Sequence, residues 1–265
     1  MSEQWQMRRQ TFDSVAESYD QIRPGYPEQL FQDVIDYANI HAGSRVLEIG
    51  CGTGQATLPF AKLGCEMICL EPGTRLAAFT RQKFTQYLQL RVQEMRFETF
   101  ESQECFDMIF SATAFHWVDP ETRFQKVVSL LKPRGTLAVW WNTHVHIDAS
   151  QGFFETVQAV YKQAAPAMAA EYHGLLRPEQ LDQAYGKEFA NAIQFGPLTK
   201  QLYPWIQRYT ADEYTQLLGT YSDHLCLPAP QRALLFERIT ALINERYGGF
   251  ITKGYVALLY LGHVK

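Results

Sequence analysis

The 265-residue chain lacks any run of about 18 apolar residues that could span a bilayer, and residues 1–11 lack the apolar core of a secretory signal. We therefore expect a cytoplasmic protein without a membrane span. The chain also lacks an excess of positive charge, because its 28 acidic residues outnumber its 24 basic residues, and the basic residues are scattered along the sequence. Since a nucleic-acid backbone is recognised by concentrated positive charge, nucleic acid is not an expected partner.

Cysteine is scarce as well. The five cysteines are an odd number, which argues against a disulfide framework, and the spacing of Cys65 and Cys69 fits no common zinc motif. The histidines are not spaced with cysteines as zinc ligands would be. The chain also has no Gly-x-Ser-x-Gly elbow, so a Ser-His-Asp hydrolase is not indicated. The sequence thus predicts reduced thiols and a protein that needs no metal.

Residues 44–142 alternate apolar strand patterns with amphipathic helical patterns, which is typical of an α/β doubly wound, mostly parallel sheet. Helical patterns then dominate up to about Pro197, which predicts a helical insertion after the fifth strand. Two further strands follow, and the first of them is placed at a sheet edge because it contains Pro204. Strands are predicted at 46–49, 66–70, 88–92, 106–111, 136–141, 202–209 and 255–263, and helices at 56–63, at 74–87 and from Pro120.

The segment VLEIGCGTG at 46–54 is the most informative in the chain. An apolar strand ends there in three glycines at alternate positions, as expected where the backbone approaches a ligand closely. The spacing Gly-x-Gly-x-Gly differs from the Gly-x-Gly-x-x-Gly of nicotinamide cofactor sites. Glu48, two residues before the first glycine, is well placed to receive a cation. Glu71, at the end of the second strand, can accept hydrogen bonds from both hydroxyls of an unphosphorylated ribose, which predicts an adenosine-containing cofactor.

The segment at 46–54 resembles the first motif of class I S-adenosylmethionine (SAM) dependent methyltransferases. Three further segments, FDMI at 106–109, AFHW at 114–117 and LKPRGTL at 131–137, resemble the methyltransferase type 11 group and its trans-aconitate methyltransferase-like members. The segment YDQIRPGYP at 19–27 matches that group too. The resemblance covers residues 8–142 well and the remainder loosely. It implies a Rossmann-like, seven-stranded methyltransferase fold.

The resemblance also implies how SAM is held. In this group the N-terminal segment folds over the methionine end of the cofactor, so that Arg23 would bind the methionine carboxylate and Tyr19 would close over the sulfonium. After the third strand an aromatic side chain and an acid contact the adenine, and either Glu94 or Glu98 could supply the acid. The predicted cofactor-binding residues are Tyr19, Arg23, Glu48, Gly50, Cys51, Gly52, Gly54, Glu71, Glu94, Phe97 and Ser111.

The acceptor is predicted to be a small organic molecule. The methyl group of SAM sits on a positively charged sulfur, so the protein needs mainly to align a nucleophile and exclude water. A carboxylate acceptor would need no general base, whereas for a hydroxyl or carbon acid His116 is the candidate base. Arg177 could pair with an acceptor carboxylate. The predicted acceptor-binding residues are Trp117, Trp140, Tyr172 and Arg177.

The sequence thus predicts one methyltransferase domain over residues 1–265. Its parts are an N-terminal helical cover (1–43), a SAM-binding core (44–142), a helical insertion that serves as an acceptor lid (143–197), and the last strands and helices (198–265). Three other functions stay open: a nicotinamide oxidoreductase, a quinone or lipid carbon methyltransferase, and a noncatalytic SAM-binding protein. The sequence assigns no oligomeric state.

Overall fold

The computed structural model describes residues 20–181, 189 and 192–265. Within these residues seven strands form one sheet: β1 Arg45–Ile49, β2 Glu66–Leu70, β3 Leu90–Gln93, β4 Phe106–Ala112, β5 Leu131–Val145, β6 Thr199–Thr210 and β7 Phe250–His263. Their order is β3-β2-β1-β4-β5-β7-β6, and β3, β2, β1, β4 and β5 pair in parallel. The predicted doubly wound, mostly parallel sheet is confirmed, and β6 lies at an edge as Pro204 indicates.

Helices connect the strands. In the described residues they are α1 Glu28–Ala38, α2 Thr57–Leu63, α3 Thr74–Lys83, α4 Arg123–Leu130, α5 Phe153–Thr156, α6 Gln158–Ala164, α7 Pro166–Ala170, α8 Ala211–Leu218, α9 Ser222–Leu225 and α10 Ala229–Arg246. Short 3-10 turns occupy Phe97–Thr99, Phe115–Trp117, Asp148–Ser150 and Pro178–Gln180. No helix in this part of the chain is long and apolar enough to cross a lipid bilayer.

Several element ends differ from the sequence prediction for identifiable reasons. The helix predicted from Pro120 begins at Arg123, because the Asp119 carboxylate accepts hydrogen bonds from the Glu121 backbone and the Thr122 hydroxyl and holds a turn there. Helix α3 ends at Lys83, four residues earlier than predicted, and a turn leads to β3. Strand β5 begins at Leu131 rather than residue 136, since Leu131 already pairs with Phe106 before a register shift.

The described chain divides into two compact units. Among the described residues, the core unit comprises Gly25–Thr143, residues 181, 189 and 192–203, and Val256–Lys265, and the second unit comprises residues 20–24, His144–Gln180 and Pro204–Tyr255. The core unit packs helix residues such as Phe60 against strand residues of the sheet. The second unit has its own apolar cluster, in which residues of α5 and α6 pack with residues of α8 and α10. Each unit thus buries a core of its own.

Trp140 of β5 belongs to the centre of the core unit. Its side chain is fully buried, and its ring stacks on Phe110 with the ring centroids 5.3 Å apart. Tyr26 and Phe31 contact the same indole edge-on. These contacts give Trp140 a packing role, and its predicted contact with the acceptor stays a prediction.

Candidate active site

The loop after β1 is fixed by backbone hydrogen bonds to β2. The amides of Gly50 and Cys51 both donate to the Leu70 carbonyl, over 2.9 and 3.1 Å, and the Gly54 amide donates to the Cys51 carbonyl over 2.9 Å. Gly50, Gly52 and Gly54 have φ angles of 73°, 54° and 84°. Because side chains rarely tolerate such positive φ angles, the alternating glycines are required by the course of the backbone.

The three glycines differ in what surrounds them. A Cβ at Gly50 would lie 2.5 Å from the Ala114 Cβ, and a Cβ at Gly54 would lie 2.3 Å from Cε2 of Phe84. A Cβ at Gly52 would have no atom within 4 Å among the residues that the structure describes. Gly50 and Gly54 therefore allow close packing beneath the loop, whereas no described residue packs against the position that a Gly52 side chain would take.

Glu71 joins this loop to the one that follows β2. One carboxylate oxygen accepts a hydrogen bond from the Gly52 amide over 2.9 Å, and the other accepts from the Gly73 amide over 2.8 Å. The side chain is buried. A carboxylate oxygen can accept more than one hydrogen bond, which is what the predicted binding of ribose hydroxyls by Glu71 requires.

Glu48 lies almost completely buried in β1, with 1% of its surface exposed. Its Oε2 accepts a hydrogen bond from the Thr57 hydroxyl over 2.5 Å, whereas its Oε1 has no hydrogen-bond partner in the described part of the chain. Burial raises the pKa of this carboxyl to about 7. A positively charged or hydrogen-bond-donating group would satisfy the orphaned oxygen and favour the ionised form.

The thiol of Cys51 is inert in this setting. The residue is buried, and its pKa is held well above the ordinary value by a hydrogen bond with Cys69 and by burial. What Cys51 offers a ligand is therefore its backbone. Ser111 is also fully buried, and its hydroxyl donates to the Ile49 carbonyl over 2.9 Å, which ties β4 to the end of β1.

The predicted adenine contacts follow β3. Glu94 is exposed and accepts a hydrogen bond from the Thr74 hydroxyl over 2.7 Å. Glu98 accepts from the Asp119 amide through Oε1, while its Oε2 is buried and has no hydrogen-bond partner in the described residues. The Phe97 ring is buried, with the Lys126 ammonium 5.6 Å from its centroid. Glu94 and Glu98 therefore both remain candidates for the predicted contact with adenine.

His116 lies in the 3-10 turn after β4, with its ring 4.8 Å from that of Trp117. The indole N–H of Trp141 donates to Nδ1 of His116 over 3.1 Å. Desolvation, together with the charge of Arg123, lowers the pKa of His116 to about 4. A neutral imidazole whose Nδ1 accepts a hydrogen bond carries its proton on Nε2. His116 therefore carries an N–H donor at Nε2 at neutral pH.

Sequence reasoning missed Thr113, which lies between β4 and the turn of His116. It has a φ of 55°, which is uncommon for a β-branched residue, and its amide donates to the Trp140 carbonyl over 2.7 Å. Its hydroxyl is 2.9 Å from the phenol oxygen of Tyr26. Strained backbone of this kind gathers at functional sites, but no sequence pattern identifies it in advance.

Three further predicted site residues, Arg23, Tyr172 and Arg177, belong to the second unit. Arg23 donates to the hydroxyl and the carbonyl of Thr220, both over 2.8 Å. Tyr172 has a buried hydroxyl without a hydrogen-bond partner in the described residues, and Arg177 is exposed. Tyr19 lies outside the described residues. The roles assigned to these residues stay predictions.

Comparison with known proteins identifies the domain that contains the glycine loop. Residues 47–139 match the family Methyltransf_11, a methyltransferase domain. A probable SAM-dependent methyltransferase of Saccharomyces cerevisiae is 33% identical over 132 residues, which are 46% of this chain and 44% of that protein. Residues 47–139 are thus similar to a known methyltransferase domain. The chain spans about half the length of curated relatives such as the yeast protein.

Solved structures show the same fold for the methyltransferase domain. A putative type II methyltransferase of Anaeromyxobacter dehalogenans has a TM-score of 0.64 and 19% identity, and the match covers 91% of this chain and 97% of that chain. Phosphoethanolamine N-methyltransferase 2 of Haemonchus contortus, solved in complex with SAM, has a TM-score of 0.51 and 16% identity over 95% of this chain and 57% of that chain. SAM is the cofactor of this class.

The geometry of the methyltransferase domain fits SAM. No described residue packs against a Cβ placed at Gly52, Glu71 is a buried carboxylate bound to the loop, and Oε1 of Glu48 has no hydrogen-bond partner in the described residues and suits a cation. Gly52 lies on the loop after β1, Glu48 lies in β1, and Glu71 directly follows β2. We infer that they hold the cofactor.

The glycine loop yields a paired prediction. Gly52→Ala should weaken the binding of S-adenosylhomocysteine at least tenfold because the methyl group enters the ligand space, and backbone strain should cost only about 1 kcal/mol of unfolding free energy. Gly54→Ala should cost more than about 2 kcal/mol, because its Cβ would overlap the Phe84 ring. Calorimetric titration and urea denaturation measure both effects. Unchanged affinity in Gly52→Ala would contradict a ligand position above Gly52.

Removing the Glu71 carboxylate should also weaken cofactor binding. Glu71→Ala removes a charged acceptor, and each lost hydrogen bond to it should cost about 1.5 to 3 kcal/mol of binding free energy. The matched control is Glu66→Ala at the start of β2, the strand that Glu71 directly follows, since Glu66 is exposed and pairs with Arg45. Calorimetry should give wild-type affinity for the control. Equal affinity of both variants would assign Glu71 to packing alone.

Proposed function

We propose that this protein transfers a methyl group from SAM to the carboxylate of a small organic acid. The observation that carries this choice is the hydrogen bond from Trp141 to Nδ1 of His116. It leaves His116 with an N–H donor and no free lone pair, so the imidazole is poorly suited to remove a proton and well suited to orient an anion. A carboxylate is already ionised at neutral pH and needs no base.

In this proposal the residues of the chain bind, orient and exclude water. Glu71 and the glycine loop would hold the cofactor, and the Glu48 carboxylate would offset its positive charge. Bound SAM supplies a methyl group on a positively charged sulfur. The Nε2–H of His116 donates to one oxygen of the acceptor carboxylate and leaves the other oxygen as the nucleophile. Residues 143–197 would cover the acceptor, and the protein would act in the cytoplasm.

The identity of the methylated product would also reveal other acceptors. A hydroxyl or carbon acid would need a base that the His116 geometry does not supply, which makes a quinone or lipid carbon methyltransferase the weaker alternative. A protein that binds SAM and transfers nothing would be a noncatalytic binding protein. Membership of the trans-aconitate methyltransferase-like group fits the proposal, and its support is the sequence resemblance.

The reaction product distinguishes these possibilities. With SAM labelled in the methyl group and a panel of small carboxylic acids, we expect label in a product that releases volatile methanol on treatment with alkali. Methyl esters behave in this way, whereas methyl ethers, amines and carbon-methylated products do not. Glu71→Ala is the control for enzyme-dependent transfer. Label that stays bound after alkali would contradict a carboxylate acceptor, and cofactor binding without transfer to any acid or phenol would indicate a noncatalytic protein.

The role of His116 has its own test. Because the pKa of His116 is lowered to about 4, kcat/KM should stay flat between about pH 6 and about pH 8. His116→Gln keeps an N–H donor and should retain more activity than His116→Phe, whose lost hydrogen bond to a charged acceptor should cost about 1.5 to 3 kcal/mol of transition-state free energy. The opposite result would be a fall of kcat/KM at acidic pH with a pKa near the ordinary histidine value. If His116→Gln abolished that fall, His116 would act as a base.

A further inference from the structure

One side of helix α3 contacts the glycine loop. Lys83 and Phe84 come three and four residues after Thr80, a spacing that places the three side chains on the same side of a helix. The hydroxyl of Thr80 and the ammonium of Lys83 each donate a hydrogen bond to a backbone carbonyl of the loop, and the Phe84 ring packs against its last glycine. The end of α3 therefore contacts three successive residues, 52–54.

The two hydrogen bonds hold the middle of a tight turn. In the turn of residues 51–54 the last amide donates to the first carbonyl over 2.9 Å, which joins the ends of the turn but does not hold its central peptide groups. Thr80 donates to the Gly52 carbonyl over 2.5 Å, and Lys83 donates to the Thr53 carbonyl over 3.1 Å. The side chains of α3 thus hold the two carbonyls that the turn does not use itself.

Gly52 is the residue of the turn with the greatest need of such support. Glycine has the widest choice of backbone conformations, and Gly52 adopts a φ of 54°. Glu71 holds its amide and Thr80 holds its carbonyl. Because the Thr80 side chain is fully buried, water has little access to replace its hydroxyl as the donor. Loss of that hydroxyl would therefore leave the Gly52 carbonyl without its partner.

The start of α3 is fixed to the same site. Gly73, directly before the helix, donates its amide to Glu71 over 2.8 Å, and Glu71 accepts the Gly52 amide over 2.9 Å. The ten-residue helix is about 15 Å long, and its hydrogen-bonded backbone keeps that length fixed. Helix α3 therefore holds the carboxylate of Glu71 and the turn of the glycine loop at a fixed separation.

We propose that Thr80 is a positioning residue for SAM, with Lys83 in a supporting role. Their hydrogen bonds hold the turn of the glycine loop in one conformation before the cofactor binds. Such preorganisation raises affinity, because the loop does not have to be ordered during binding. Neither side chain needs to touch the cofactor. The inference rests on SAM binding by the glycine loop, which the proposed function requires, and does not depend on the acceptor.

Two replacements of Thr80 separate the effect of its hydroxyl from that of its shape. Thr80→Val keeps the shape and removes the hydroxyl, whereas Thr80→Ser keeps the hydroxyl and removes a methyl group. In calorimetric titrations of the full chain, Thr80→Val should bind S-adenosylhomocysteine about tenfold more weakly than the wild type, and Thr80→Ser should stay within about threefold of it. Thr85→Val should have wild-type affinity, because the exposed Thr85 donates to the Gln82 carbonyl and not to the loop.

Lys83→Met tests the second hydrogen bond. It should weaken the binding of S-adenosylhomocysteine by a smaller factor, about threefold, because the bond made by the exposed Lys83 is longer and competes with water. The matched control is Lys62→Met, which removes an exposed lysine of α2. Wild-type affinity in Lys83→Met would remove Lys83 from the proposal.

Hydrogen exchange measures the order of the loop without turnover, and the wild-type protein decides the outcome should Thr80→Val not fold. In the free wild-type protein the hydrogen-bonded amides of Gly52 and Gly54 should already be protected. Thr80→Val should lower this protection, and saturation with S-adenosylhomocysteine should restore it. Wild-type amides that exchange as in an unstructured chain until S-adenosylhomocysteine is added would show that the cofactor, and not α3, orders the loop.

Three results with the variants would overturn the role of the Thr80 hydroxyl. They are wild-type affinity in Thr80→Val, equal losses in Thr80→Val and Thr80→Ser, and unchanged exchange of the loop amides in Thr80→Val. Failure of the proposed function gives a different result. In that case no methyl ester forms, yet S-adenosylhomocysteine binds to the wild-type protein and Thr80→Val weakens its binding.

Discussion

The Glu71 carboxylate is the interaction on which the candidate active site depends. It joins the loops that follow β1 and β2 by accepting one backbone amide from each. Without this bridge the Gly52 amide would lack its acceptor, and the positive φ angles of the loop would have less support. Parallel pairing of β1 with β2 brings the two strand ends together, and the buried carboxylate then fixes the loops between them. Strand pairing thus brings the two loops close together, and the hydrogen bonds of Glu71 fix their conformation.

The same part of the chain was the most predictable from sequence. Strand β2 has the predicted bounds, and α2 ends at Gly64, whose φ of 88° allows the left-handed conformation that closes a helix. Glycine and strand patterns are local signals, so one sequence is enough to detect them. The bounds of α3 and α4 were less accurate, because turns stabilised by side chains such as Asp119 compete with the helix at its ends.

The tertiary contacts of the candidate site were not predictable in this way. The sequence identified His116 but could not show that Trp141, 25 residues later, donates to its Nδ1. The sequence placed Thr80 in a helix, yet only the structure shows that its hydroxyl donates to the Gly52 carbonyl, 28 residues earlier. Such contacts join residues far apart in sequence and depend on tertiary packing. A pattern search along the chain does not detect them.

The electrostatics of the two units favour opposite charges. In the core unit, Glu48 and Glu71 are buried carboxylates, and the raised pKa of Glu48 reflects chiefly the cost of burying its negative charge. A cationic ligand would lower this cost. In the second unit, the buried charge is the ammonium of Lys253, and an anionic ligand would lower its cost in the same way. A cationic methyl donor meets the requirement of the core unit. In the proposed reaction the sulfonium becomes a neutral thioether, so the buried carboxylates would hold the product of SAM less strongly than SAM itself.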